Sequence, residues 1–153
     1  DLNGLDPDEV LLRLDTAFRI HEQGQLVYEP DTKHAFGMYL DGAFYALYLR
    51  ESVYTFGDPL SRLDSHILHQ LVLEPILGIS DPTRDSRIAY RNSPQPGPDI
   101  RAEVDSGRFA VGFTMMPVTL GEIREVADAG LTMPPKTTYV EPKLRSGLTV
   151  YDI

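Results

Sequence analysis

The chain has no cysteine and only three lysines among its 153 residues. Without cysteine there is no disulfide framework, no thiolate metal site and no cysteine nucleophile. That absence fits a reducing compartment, and a cytoplasmic protein is expected. No apolar run approaches the roughly 18 residues that a membrane helix needs, so no membrane partner is expected. The opening Asp1-Leu2-Asn3-Gly4 is acidic and polar, unlike a signal peptide. The chain is read as the C-terminal part of a longer protein, with the N-terminal region as its first partner. There is no Gly-rich phosphate cradle and no Gly-Xaa-Ser-Xaa-Gly elbow, so neither a P-loop, a dinucleotide fold nor a hydrolase triad finds support.

What is present is ordinary for one globular domain spanning residues 1–153. Hydrophobic residues are 42% and charged residues 24%, enough to build a core. The formal net charge is −9, from 14 basic and 23 acidic residues. Such a body repels phosphate backbones, which argues against nucleic acid as a partner.

Local patterns predict the elements. Asp6, Pro7 and Glu9 form an N-cap, a first-turn proline and a capping-box acid, followed by Val10, Leu11, Leu14 and Phe18 on one face. A strand is expected to begin near Phe18. Ala35 to Leu40 and Ala43 to Arg50 are strand-like runs joined by Asp41-Gly42, the signal of a type I′ hairpin. A helix is predicted from Asp64 as N-cap, with Ile67, Leu68, Leu71 and Val72 as its stripe; Pro75 should end or kink it, and Gly78 stop it. Arg87 to Arg91 reads as a short strand, and a short helix follows from Asp99 with Ile100 and Val104 inward. Phe109 to Met116 is apolar on both faces and is predicted to be a central buried strand. Thr119 and Glu122 form a second capping box, opening a helix with Leu120, Ile123, Val126 and Ala127 as its stripe and Gly130 as its end. Leu148 to Ile153 is a predicted strand. The expected fold is α/β, with α+β as the alternative: a mixed sheet containing an antiparallel hairpin, covered by about four helices.

Leu131 to Gly147 follows neither period. A long irregular stretch in a small domain is usually functional or disordered, and Pro134, Pro135 and Pro142 stiffen this one. Lys136, Lys143 and Arg145 face only Glu141, a net of +2, which leaves −11 on the remainder. A cationic island on an acidic body attracts a small anion. Thr137, Thr138 and Ser146 add hydroxyls, Lys a point charge and Arg a fork. The other reading is that the island pairs with the acidic body and pins the loop.

Of the four histidines, His34 opens the hairpin and is read as a cap or a solvent-facing residue, and His21 sits in a polar context; neither carries a specific signal. His66 and His69 are three apart on the predicted helix, a spacing that can chelate a metal or place a general base. Two ligands make no site by themselves. His66 is read as solvated and His69 as a buried, hydrogen-bonded structural residue, with acid–base work as its alternative. Asp81 and Asp85 bracket a turn that could hold magnesium, though such turns are commonplace. Tyr28, Tyr39, Tyr45 and Tyr48 read as hairpin packing.

The stretch Met133-Pro134-Pro135-Lys136-Thr137-Thr138-Tyr139, then Glu141-Pro142-Lys143-Leu144-Arg145-Ser146-Gly147-Leu148, closely resembles the C-terminal signature of a bacterial and archaeal family named domain of unknown function ten-fifteen. His34-Ala35-Phe36-Gly37 with the following hairpin, Leu68-His69 through Glu74-Pro75 to Ile79, and Val126 to Gly130 resemble the same family, together about three quarters of the chain. Members are longer, and some carry a ParB-like or chromosome-partitioning label. Their genes often neighbour serine-biosynthesis genes. The resemblance implies serine or phosphoserine chemistry by phosphoryl transfer, with a nucleotide and magnesium as cofactors of the intact protein and none evident for this part alone. By position Lys136, Thr137, Thr138, Tyr139, Lys143 and Ser146 match the motif, and His69 matches while His66 does not. Many relatives have Ser at 137 and Phe at 140. The expected anion-binding set is thus Lys136, Thr137, Thr138, Tyr139, Lys143, Arg145 and Ser146. The alternatives are a non-catalytic docking or dimerisation domain, and a DNA-partitioning protein, which the acidity disfavours.

Overall fold

The computed structural model describes residues 1–134 and 136–137. The predicted strand Leu148 to Ile153 lies outside them. Helix α1 (Pro7–Asp15) leads into β1 (Phe18–Gly24), then the hairpin β2 (Ala35–Leu40) and β3 (Ala43–Leu49). After two short 3₁₀ turns come α2 (Asp64–Leu68), a π-helical turn (His69–Leu73), α3 (Pro96–Asp105), β4 (Val111–Met115) and α4 (Leu120–Asp128). Both predicted capping boxes form: Asp6 accepts from the Glu9 amide, and Thr119 from that of Glu122. Asp41 at φ 48° and Gly42 at φ 80° make the expected I′ connection, whose twist matches the strands it joins.

The four strands run in the order β1-β3-β2-β4, and every pairing among them is antiparallel. The expected sheet, hairpin and covering helices are therefore present, with antiparallel pairing throughout the described sheet in place of a mixed one. β2 is buried at all six positions, because both faces of the sheet are covered where it runs. On one face Phe36, Met38 and Leu40 meet Val10 and Leu14 of α1 and Ile67, Leu68 and Val72 of the α2–π segment. Each such side chain contributes about 1.5–3 kcal/mol on burial. On the other face α3 packs on β2 and β4, the Tyr39 hydroxyl donates to Asp105 at 2.8 Å, and the Arg101 guanidinium lies 4.7 Å from the Phe44 ring centroid.

Several expectations are corrected. Phe109 to Met116 forms β4 at an edge of the described sheet, with only Thr114 buried. Its small residues face α3 rather than a second strand layer: a Cβ on Gly112 would lie 2.7 Å from that of Ile100. Arg87 to Arg91 forms no strand; the Arg87 guanidinium instead donates to the Leu77 and Gly78 carbonyls and grips Asp85. On α4 the apolar stripe is half used, with Val126 fully buried and Leu120 85% exposed. Pro75 has no N–H and its ring crowds the preceding turn. The helix before it widens to π geometry, with the Glu74 amide donating to the His69 carbonyl at 3.0 Å.

Gly37 shows how closely the second face is packed. A Cβ there would run into Thr114 Oγ1 and lie 2.7 Å from the Tyr28 carbonyl. Gly37→Ala is expected to lower stability by about 1–3 kcal/mol, measured by urea unfolding. Gly57, with nothing within 4 Å of its would-be Cβ, is the control, and equal unfolding midpoints for the two alanine variants would contradict this packing.

Candidate functional site

At the end of the sheet where β2 begins and β4 finishes, four ionisable side chains from three segments converge. His34 stands just before β2 at φ 63°, a left-handed conformation that costs a non-glycine residue roughly 1–2 kcal/mol. Its carbonyl is used by the ladder, accepting from the Leu49 amide at 3.0 Å. Its own N–H points the other way and donates to Asp64 Oδ1 at 2.9 Å. The ring stacks on Phe56, with centroids 4.7 Å apart, and Nε2 lies 3.2 Å from the Arg62 carbonyl. That contact makes Nε2 the protonated nitrogen, since a carbonyl only accepts.

Asp64 was expected as the N-cap of α2. It is instead the first helical residue, with Leu63 at the cap position, and its carboxylate serves His34 rather than its own helix. Its side chain is 2% exposed, and Oδ2 has no hydrogen-bond partner among the described residues. The nearest cation among the described residues is Lys33 Nζ at 4.0 Å, beyond hydrogen-bond reach. Lys33 Nζ lies 2.9 Å from Glu122 Oε2 and donates to the Pro117 carbonyl at 3.1 Å. The same Glu122 oxygen accepts from the Thr119 amide at 2.7 Å and its hydroxyl at 2.8 Å.

The two carboxylates are driven in opposite directions. Burial raises the Asp64 pKa, and the His34 amide and Lys33 only partly offset it. For Glu122 burial also opposes ionisation, but the Lys33 ammonium and the Thr119 donors outweigh it and hold the pKa below the ordinary value. Paired groups pushed apart in this way are a recurrent feature of acid–base centres.

The residues singled out from sequence lie elsewhere. His69 sits in the π turn with Nε2 3.2 Å from the Ser80 carbonyl, the hydrogen bond expected of it, but it is half-buried rather than buried. His66 is half-buried rather than solvated, and burial lowers its pKa. Asp81 and Asp85 are held by their own turn. Asp81 accepts from the Thr83 amide at 2.9 Å, and the Arg87 side chain holds the Asp85 pKa at about 2. No group of three or more His, Asp or Glu side chains is arranged to hold a metal among the described residues. Of the anion-binding set, Lys136 is exposed at φ 61°, and the Thr137 hydroxyl donates to the Pro134 carbonyl at 2.6 Å. Thr138, Tyr139, Lys143, Arg145 and Ser146 lie outside the described residues.

Sequence reasoning missed the Lys33–His34–Asp64–Glu122 group. Lys33 and His34 precede a strand, Asp64 read as a cap and Glu122 as half of a capping box, so each had a sufficient local role. The one available signal was the scarcity of lysine.

The described residues thus form an antiparallel α+β fold carrying a buried carboxylate at the end of its sheet. Compared with known proteins, it matches no family model, no curated protein and no solved structure. No helix among the described residues is long and apolar enough to cross a membrane.

The opposed pKa shifts give opposite pH dependences. A folded pKa raised above 3.8 means that the native state takes up the Asp64 proton first, so this group favours folding increasingly as pH falls from neutral toward 3.8. The Glu122 contribution is present above 4.5 and lost as pH falls through its lowered folded value. Urea unfolding against pH is expected to show the Asp64→Asn variant losing the first slope and Glu122→Gln losing the second. Parallel curves for wild type and both variants would refute the assignment.

Proposed function

We propose that the chain is the anion-binding part of a cytoplasmic phosphoryl-transfer enzyme of serine or phosphoserine chemistry, completed by an N-terminal region. The observation that carries this reading is the turn at Lys136. A lysine at φ 61° costs conformational energy that a flexible surface loop would not keep. The Thr137 hydroxyl closes that turn on Pro134, so the Lys136 ammonium is presented from a stiffened backbone. This turn opens a stretch of net positive charge on an acidic chain. The ligand class is a small dianion such as phosphate or a phosphomonoester, and Lys143 and Arg145 would complete the charge. Thr137 spends its proton on Pro134, so its hydroxyl holds the turn and donates nothing to the anion. A nucleotide with magnesium would be the phosphoryl donor, and His69, bound to Ser80, would act by positioning the chain after the π turn.

The reading predicts that phosphate and phosphoserine raise the thermal unfolding midpoint as their concentration rises, because a ligand bound only to the native state stabilises by mass action. Lys136→Ala is expected to abolish the rise. A midpoint that no anion moves, or one that Lys136→Ala leaves responsive, would count against an anion site on this turn.

A second reading, as a docking or dimerisation module, is favoured by α4. Leu120, on the stripe predicted to face inward, is 85% exposed, and Leu131, just past the helix, 37%. Light scattering would then detect a dimer that Leu120→Asp converts to monomer without lowering the unfolding midpoint. A monomeric wild type at high concentration would remove self-association from consideration.

A further inference from the structure

We infer that the Lys33 ammonium occupies an oxygen-lined cation site, and that a divalent cation, Mn²⁺ or Mg²⁺, binds there by displacing it. Three hard oxygens from three segments surround the ammonium: Glu122 Oε2 at 2.9 Å, the Pro117 carbonyl at 3.1 Å and Asp64 Oδ2 at 4.0 Å. Two carboxylates and a backbone carbonyl are the donor types these cations prefer, with water filling the remaining positions.

The ammonium satisfies this set incompletely. Asp64 Oδ2 is buried and faces the cation, yet has no hydrogen-bond partner among the described residues. A charged oxygen left without a partner in the interior is costly. Two carboxylates around one ammonium also leave a net negative charge, which a divalent ion in its place would cancel.

The surrounding contacts hold the two carboxylates in place independently of Lys33. The Asp64 carboxylate is anchored through Oδ1 by the His34 amide, and the Glu122 carboxylate by the Thr119 amide and hydroxyl. Such outer contacts orient metal-binding carboxylates. Lys33 has a different freedom: its side chain is 28% exposed, and its four-carbon stem can carry the ammonium into water. Displacement therefore needs one side chain to swing out while the donors stay.

This inference does not depend on the anion site, and the test uses the metal alone. Mn²⁺ is titrated into the full chain and the loss of its free electron-paramagnetic signal is followed, with Mg²⁺ as competitor. Wild type is expected to bind one Mn²⁺ that Mg²⁺ displaces. Lys33→Met is expected to bind it about five- to tenfold tighter, the effect of removing a partly exposed competing ion pair. Asp64→Asn and Glu122→Gln keep the oxygens that accept from His34 and Thr119, so both should fold and bind at least tenfold more weakly. Lys136→Ala should bind like wild type. No Mn²⁺ bound by wild type, binding confined to Lys33→Met, or undiminished binding by both carboxamide variants would overturn the inference.

Discussion

The amide of His34 stands where the chain turns into β2, on the side away from β3. The Asp64 carboxylate receives it, and much of the architecture hangs on that contact. A charge-assisted hydrogen bond of this kind contributes about 1.5–3 kcal/mol, enough to hold His34 at its positive φ. It also ties the start of a central strand to the first residue of α2. The helix then lays Ile67 and Leu68 on the same face of the sheet as Phe36 and Met38. Lys33 extends the tie to α4 through Glu122. One end of the sheet is thus fastened by polar groups, while the rest is fastened by apolar burial.

That arrangement concentrates electrostatic tension. Burying a carboxylate without a full set of partners is unfavourable, and the raised Asp64 pKa is the same fact expressed as proton affinity. Glu122, sharing the same ammonium, is displaced the other way because it has three donors. The anion site proposed on the Lys136 turn and the cation site inferred around Lys33 ask different things of the fold. The first needs a stiff surface turn that presents charge, the second a set of oxygens already held apart in the interior.

The helix bearing His69 illustrates how a local breaker is absorbed. Pro75 does not end the element at once; the chain widens to a π turn and then tightens into Gly78 at φ 66°. His69 bridges from that turn to Ser80, closing the connection. π turns often accompany functional sites, but this one has a sufficient cause in the proline.

Sequence by itself determined the features whose physics is local. Both capping boxes, the Asp41-Gly42 hairpin and the break at Pro75 follow from backbone donors, φ preferences and ring geometry within a few residues. It could not determine which strand lies at the edge. Val111 to Met115 is apolar on both faces, and only packing against α3 shows that one of those faces meets a helix. Nor could it show that Leu120 would stay in water, since an apolar period records a face without naming its neighbour. The candidate site belongs wholly to tertiary structure. Lys33, Asp64 and Glu122 are separated by 31 and 58 positions in the chain, and only the closing of the sheet and the docking of two helices bring their charges within 4.0 Å of one ammonium.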